Sequence, residues 1–281
     1  MRVLLAVTSS AARLRTLVPL AWALRTAGHD VKIAGKPDFT GEILTTGCVA
    51  AELDLAEFAA LWRPDVVVSD GEAAGTAAAN SVGAKAVRVL GPLDSPPADA
   101  SELLLDLVPP SLRDKDSSAR PMRHVPYFGP SEVPTWLRRK ARRPRVLLSI
   151  TNPEFYEVVF AEASAVDFEL ICAGTPPVGV SLPASVKLVD SAPPAAVLPT
   201  CAAVAHDGDD ELTLAALAHG VPQLSLVETP LATRVAAAGA GVIGWLSSVV
   251  SDPQLRAGAL AVRDEMVALP APRDIVAELT R

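Results

Sequence analysis

Short runs of aliphatic residues alternate with helical segments along most of the chain, and this alternation constrains the fold more than any other feature. The runs are nearly continuous in apolar residues, as in DVVVS at residues 65–69, which is typical of parallel strands buried on both faces. The segments between the runs have the apolar spacing of helices. The pattern therefore predicts an α/β fold with parallel sheets covered by helices.

The alternation breaks down between residues 91 and 144, where ten prolines occur and only a short helix, at residues 100–108, is predicted. We therefore predict two Rossmann-like domains, with an N-terminal domain at residues 1–120, a linker at 121–144 and a C-terminal domain at 145–281. The last helix is expected to cross back to the first domain. Ligands of such folds bind at the carboxyl ends of the strands, in this case in a cleft between the domains.

Composition excludes several classes of function. Half of the residues are hydrophobic and the net charge is −7, so neither a disordered chain nor a nucleic-acid-binding surface is expected. The apolar run at residues 3–7 is too short for a signal peptide and no run reaches the length of a membrane span, so we expect a cytoplasmic protein. The cysteines Cys48, Cys172 and Cys201 lack metal or redox spacing and are expected to be buried thiols.

Two local features lead to specific expectations. Pro19 is expected in the first turn of the first helix, because a proline in the middle of a helix removes a hydrogen bond. A basic run ends the linker, formed by Arg138, Arg139, Lys140, Arg142, Arg143 and Arg145. It is interpreted either as a phosphate-binding segment or, in the interpretation favoured by the sequence alone, as a solvated linker between acidic domains.

A family resemblance is carried by LVPLAWALRTAGHDV at residues 17–31, PYFGP at 126–130, CAAVAH at 201–206 and LAALAHGVPQ at 214–223. These segments resemble the GT-B glycosyltransferases of actinomycete natural-product pathways, and the resemblance extends over the whole chain with gaps. It implies two Rossmann-like domains in a GT-B arrangement. It also implies transfer of a deoxysugar from a nucleotide diphosphate to a polyketide, macrolide or similar acceptor.

The first departure from the family pattern concerns the general base. The resemblance implies a His a few residues before the first helix, and, counting back from the LVPL segment at residues 17–20, Arg13 stands in its place. An arginine stays protonated and cannot accept a proton near neutral pH. Arg13 is therefore expected either to hold an anionic ligand or to lie in a surface loop without a role.

The second departure concerns the diphosphate. The family has a His-His-Gly-Gly-x-Gly-Thr type loop whose backbone N–H groups cradle the phosphates, and here the corresponding residues are His206, Asp207, Gly208, Asp209, Asp210, Glu211 and Leu212. Four carboxylates repel phosphate, and their Cβ atoms fill space that the backbone needs. The acids are expected to cap the following helix. A metal site from His206, Asp207 and Asp209 is a less favoured alternative, and neither a metal nor another cofactor is predicted.

The third departure is an abridged chain. The family has an Asp-Gln or Asp-Asn pair that holds sugar hydroxyls after the next strand, whereas here Glu228 and Thr229 follow that strand at once. The acceptor side is also shorter than in the family, between residues 49 and 54 and before residue 121. The expected ligand-binding residues of the cleft are Ser9, Ser10, Arg13, Thr151, Asn152, Gly208, Asp209, Asp210, Glu211 and Thr229.

These departures lead to three hypotheses. The leading one is a glycosyltransferase homologue of an antibiotic pathway that has lost ordinary sugar transfer and acts as an auxiliary protein or small-molecule binder. Its partner would be a pathway intermediate, a transferase or a second copy of the chain, and neither nucleic acid nor a membrane. The second is a cyclisation or dehydration catalysed by His206, Asp207 and Glu228, with a raised pKa at His206. The third is an unusual active glycosyltransferase.

Overall fold

The computed structural model describes residues 1–7, 10–51, 54–71, 73–94, 102–113, 118–164, 167–173, 176 and 179–281. These residues form two compact units, one of Met1–Pro130 with Val267–Arg281 and one of Ser131–Met266. The first unit therefore extends ten residues beyond the limit that the sequence suggests and also includes the end of the chain. No helix among the described residues is long and apolar enough to cross a membrane.

The first unit contains a parallel sheet of seven strands in the order β3-β2-β1-β4-β5-β6-β7. The strands are β1 (Arg2–Val7), β2 (Asp30–Gly35), β3 (Val49–Ala50), β4 (Val66–Ser69), β5 (Lys85–Leu90), β6 (Leu103–Asp106) and β7 (Arg120–Pro121). The helices between them are α1 (Ala11–Thr26), α2 (Thr40–Thr45), α3 (Leu55–Trp62) and α4 (Ala73–Val82), with 3₁₀ turns at Pro37–Phe39 and Pro110–Leu112.

The second unit contains a parallel sheet of six strands in the order β10-β9-β8-β11-β12-β13. The strands are β8 (Arg145–Ser149), β9 (Glu169–Ala173), β10 (Val186–Val189), β11 (Ala203–His206), β12 (Gln223–Ser225) and β13 (Gly241–Ile243). The helices are α5 (Phe155–Ala163), α6 (Pro194–Val197), α7 (Asp210–Ala218), α8 (Pro230–Ala237), α9 (Leu246–Ser251) and α10 (Pro253–Ala268), whose last two residues fall in the first unit, with 3₁₀ turns at Thr135–Arg138 and Leu198–Thr200. The last helix, α11 (Pro272–Leu279), belongs to the first unit. The predicted α/β class with parallel sheets is confirmed.

Helix α11 returns to the first unit, as expected from the sequence. Ile275, Val276 and Leu279 are buried in the same apolar cluster as the inner face of α1. The Lys85 Nζ also donates a hydrogen bond of 2.7 Å to the carbonyl of Glu278. The end of the chain therefore closes the core of the first unit.

Two local predictions are wrong. Residues 103–106 form strand β6, paired in parallel with β5, where a helix was expected at residues 100–108; residues 100 and 101 lie outside the described part. Pro19 lies in the middle of α1, because Ser10 caps that helix and starts it eight residues before Pro19, at Ala11. Burial of the inner face of α1 offsets the hydrogen bond that Pro19 removes.

Aliphatic side chains fill the interiors of both units. The three cysteines are free and buried, as predicted. Burial raises the pKa of Cys201 to about 12, so this thiol stays protonated and behaves as a small apolar side chain.

Candidate functional site

The acidic loop, residues 207–209, directly follows β11. It lies at the carboxyl edge of the second sheet, where parallel α/β sheets bind ligands. β11 pairs with β8 so that His206 lies opposite Ser149, the last residue of β8. The loops that follow the two strands are therefore neighbours, and Thr151 and Asn152 contact Asp207. The sequence analysis placed Thr151 and Asn152 among the ligand-binding residues and Asp207 with the candidate catalytic residues, and it did not expect this contact.

The Asp207 carboxylate is bound by the loop after β8. Its Oδ2 accepts hydrogen bonds from the backbone N–H groups of Thr151 and Asn152, both at 2.7 Å, and from the Thr151 hydroxyl at 2.8 Å. Burial alone would raise the pKa of Asp207, but these hydrogen bonds outweigh it and hold the pKa below its usual value. Asp207 is thus a carboxylate anion in a set of donors supplied by the same chain.

His206 is a buried, hydrogen-bonded imidazole. Its Nδ1 accepts from the N–H of Gly208 at 3.2 Å, and its Nε2 lies 3.0 Å from Oε1 of Gln223. With Nδ1 as acceptor, the ring proton is on Nε2 and donates to Gln223. Burial lowers the pKa of His206, and the hydrogen bond to Gln223 and the charges of Asp209 and Asp207 oppose this only in part. The prediction of a raised pKa at His206, as a catalytic acid would need, is therefore wrong.

The remaining acids stabilise the start of α7. Asp209 is the N-cap, since its Oδ1 accepts from the N–H of Leu212 at 3.0 Å, and Asp210 and Glu211 occupy the first turn. Carboxylates at these positions satisfy free N–H groups and complement the helix dipole. The capping interpretation is confirmed. Over the described residues, the structure contains no group of three His, Cys, Asp or Glu side chains that could hold a metal ion.

The loop after β12 packs against the acidic loop. Gly208 has φ +98°, and a Cβ there would lie 3.0 Å from Val227, so glycine is required by the backbone and by this contact. Glu228 is exposed, and Thr229 caps α8 by accepting from the N–H of Ala232 at 3.0 Å. Glu228 is therefore at the edge of the loop and does not reach His206 by any hydrogen bond among the described residues.

In the first unit, Arg13 is paired with a carboxylate of the chain itself. Its Nη2 lies 2.9 Å from both carboxylate oxygens of Asp94, and Asp94 also accepts from the N–H of Gly91 at 2.7 Å. A Cβ on Gly91 would clash with the guanidinium, so the glycine allows this close approach. Arg13 is the third residue of α1, which excludes the interpretation as a loop residue. Ser10 caps α1, and Ser9 lies outside the described residues.

A cavity of about 530 Å³ lies at the carboxyl ends of β1 and β2 in the first unit. Its wall is mainly apolar and includes Val7, Ala34, Ala51 and Leu55, with one cation, Lys36, and one acid, Asp54, among the lining residues. These residues were missed in the sequence analysis. The available signal was their position directly after the first strands, since that edge is where such sheets bind ligands.

The matching family models and the relatives found by sequence comparison point to the same family. The model of the erythromycin biosynthesis protein CIII-like C-terminal domain matches residues 157–281, and the model of the N-terminal domain matches residues 97–151. Elloramycin glycosyltransferase ElmGT of Streptomyces olivaceus is 31% identical, over 99% of this chain and 97% of the relative. TDP-daunosamine transferase DnrS of Streptomyces peucetius is 29% identical, over 99% of this chain and 96% of the relative.

Solved structures agree with this result. Glycosyltransferase SnogD from Streptomyces nogalater has a TM-score of 0.87 at 28% identity, covering 100% of this chain and 98% of that chain. Glycosyltransferase VinC, solved in complex with DTDP, has a TM-score of 0.88 at 26% identity, and the match covers 100% of this chain and 99% of that chain. The predicted GT-B type of fold is confirmed.

The chain is nevertheless shorter than these relatives. The alignment with DnrS extends over 421 positions, whereas the chain has 281 residues, so at least 140 aligned positions have no residue here. The prediction of an abridged chain is therefore confirmed. Sheets of seven and six strands are present in spite of this loss.

Proposed function

Because the chain belongs to the erythromycin biosynthesis protein CIII-like family of antibiotic glycosyltransferases, we propose that it is a member that has lost ordinary sugar transfer from a nucleotide diphosphate. It serves an antibiotic pathway as a small-molecule binder or as an auxiliary protein, for example of a true transferase. The observation that carries the proposal is the Asp207 carboxylate, held by Thr151 and Asn152.

The donors that bind Asp207 are suited to a phosphate. Two backbone N–H groups and a hydroxyl at the carboxyl end of a parallel strand are typical of an anion site. A diphosphate entering this loop would have to displace the carboxylate and then remain beside it. Two like charges 4 Å apart repel by ~1 kcal/mol in water and by ~4 kcal/mol near a protein surface. This cost opposes nucleotide binding where the family resemblance places the diphosphate.

Proton transfer is also unsupported at the positions that the family resemblance implies. Arg13 replaces the general base and is paired with Asp94. His206 is neutral, with both ring nitrogens engaged by Gly208 and Gln223. The same contacts argue against the alternative of a cyclisation or dehydration with His206 as the acid. A buried imidazole with a lowered pKa is not an imidazolium near neutral pH, and its one ring proton is engaged by Gln223.

The cavity of the first unit supports a role in binding small molecules. At about 530 Å³ it falls within the usual range of ligand sites, and its apolar wall suits a polyketide-like pathway intermediate. The family resemblance also places the acceptor in this domain. Relatives such as erythronolide mycarosyltransferase of Saccharopolyspora erythraea, 26% identical, are named for acceptors of that kind.

The test is a turnover assay with thymidine-diphosphate sugars and a panel of polyketide aglycones. We expect no release of thymidine diphosphate above the level without protein, and saturable binding of at least one aglycone. An Ala51→Trp variant, which fills the cavity, should lose the aglycone, whereas Val158→Trp at an exposed position outside it should not. Multiple turnovers of a nucleotide sugar by the wild-type protein would refute the proposed loss of transfer.

A further inference from the structure

A second cavity, of about 680 Å³, lies at the amino edge of the second sheet, where β8, β9 and β10 begin. Six of its lining residues are cations, Arg139, Lys140, Arg142, Arg143, Arg145 and Lys187, and Glu169 is the one acid among the lining residues. We propose that this basic cavity binds a small soluble molecule that carries two or more phosphate groups. It lies at the opposite edge of the sheet from the Asp207 loop, and the proposal does not depend on the loss of sugar transfer.

The cations of the basic cavity exceed the carboxylates that reach them. Glu169 is shared by Arg145, at 3.4 Å, and Lys187, at 3.8 Å. Arg143 pairs with Asp167 at 3.0 Å, but both side chains are mostly exposed. Arg139, Lys140 and Arg142 make no ion pair within the described part of the chain. In a protein with a net charge of −7, such a local excess of positive charge is a focus for anions.

Arg145 is a buried cation among the lining residues of the basic cavity. Its side chain is only 3% exposed and its Nη1 donates to the Thr200 hydroxyl at 2.7 Å. Its Nε lies 3.4 Å from Oε2 of Glu169, which is an ion-pair distance, but makes no hydrogen bond there. An anion oxygen in the cavity would give this N–H a better-formed hydrogen bond.

Trp136 holds the inner cations in place. The Arg145 guanidinium lies 5.4 Å from the indole ring and the Lys187 ammonium lies 4.9 Å from it, both at cation–π distance. The positive charges are therefore oriented before a ligand arrives, which lowers the entropy cost of binding.

The dimensions of the basic cavity favour a small molecule with several phosphates. A volume of about 680 Å³ is typical of ligand sites, and a neighbouring cavity of about 440 Å³ shares Arg143 and Arg145 and adds Arg256 together with one acid, Asp252. Guanidinium groups bind phosphate through paired N–H donors, and phosphates spaced along one ligand would engage both cavities. The phosphate-binding interpretation of the basic run is therefore preferred over a solvated linker.

The test is calorimetric titration with sodium tripolyphosphate at about 0.1 M salt, where exposed charges are largely screened. We expect saturable binding by the wild-type protein and at least about tenfold weaker binding by Arg142→Glu, since this change places a negative charge in the cavity. Arg138→Glu is the matched control, because Arg138 is in the same basic run and exposed but does not line the cavity. It should change the affinity by less than about twofold.

Three results would overturn the proposal: no saturable binding, equal weakening in both variants, or binding only to phosphatidylglycerol vesicles with no response to the soluble probe. Thermal unfolding of both variants checks that they are folded, and both substituted residues are exposed. Because Arg142→Glu leaves the Asp207 loop unchanged, nucleotide titrations in this variant report on that loop with a weakened contribution from the basic cavity.

Discussion

At the scale of single residues, the polar side chains at and directly after the end of β11 are engaged in contacts within the chain. Asp207 satisfies the donors of the loop after β8, and Asp209 satisfies the free N–H groups of α7. His206, which the family resemblance marks for function, is held by Gly208 and Gln223. Each side chain has a structural partner, so this part of the motif is explained by stability without a bound nucleotide.

A buried histidine outside this loop predicts a pH dependence of stability. Burial lowers the pKa of His124 to about 4, from an ordinary value near 6.5. Between these values the unfolded chain binds a proton that the folded chain does not, so stability falls as the pH falls through this window. The loss approaches about 3 kcal/mol at pH 4. Urea unfolding of wild type and His124→Gln at pH 7.5 and pH 5 should show a weaker pH dependence in the variant; equal dependence would contradict this origin.

The local contact of Asp209 could be predicted from the sequence, whereas the distant contacts of Asp207 could not. The cap formed by Asp209 follows from the sequence, because an acid before a helical pattern binds an N–H three residues later. The partners of Asp207 lie 55 and 56 residues earlier in the chain and become neighbours only through the pairing of β8 with β11. No spacing rule reports such a contact, so the competition for the anion site was visible only in the structure.

At the scale of elements, the helix cap at Asp209 has a measurable effect on stability. Asp209→Ala should lower the free energy of unfolding by about 1 kcal/mol, because the N–H of Leu212 loses its acceptor. Glu228→Ala removes an exposed acid nearby and should change it by less than about 0.5 kcal/mol. Chemical denaturation of both variants would contradict the capping role if their losses were equal.

The closing helix α11 should be essential to the first unit. Ile275 is 1% exposed within the core shared with α1, so Ile275→Ala should destabilise the protein by about 2–5 kcal/mol. Arg273→Ala, at the exposed start of the same helix, should cost less than about 0.5 kcal/mol. Urea denaturation measures the loss in free energy of unfolding for each variant. A loss at Ile275→Ala as small as that at Arg273→Ala would show that α11 is not part of this core.

The elements that the sequence mispredicted share a physical cause. Residues 103–106 read LLLD, and a short apolar run fits a buried strand and a buried helix equally well until its pairing with β5 is known. Pro19 marks a helix start by local preference, but burial of the surrounding face of α1 outweighs that preference. Long periodic segments and continuous aliphatic strands, which depend least on distant partners, were predicted well.

At the scale of the whole molecule, a chain lacking at least 140 aligned positions of a relative retains both sheets of a GT-B type fold. Its first unit keeps a mainly apolar cavity at the usual ligand-binding edge. Its second unit has a carboxylate at the corresponding edge and a basic cavity at the other. The family fold is therefore preserved, with these three features at the edges of its sheets.

The central claim, that Asp207 excludes a diphosphate, is tested most directly by titrating thymidine diphosphate into proteins with and without this carboxylate. All proteins carry Arg142→Glu so that the contribution of the basic cavity is weakened. We predict binding weaker than about 1 mM with Asp207 present and at least about tenfold tighter binding after Asp207→Ala. We predict no gain after Asp209→Ala, which removes a carboxylate and frees the N–H of Leu212 but leaves the donors of the loop after β8 bound to Asp207. Micromolar binding with Asp207 in place, or no gain on its removal, would contradict the account.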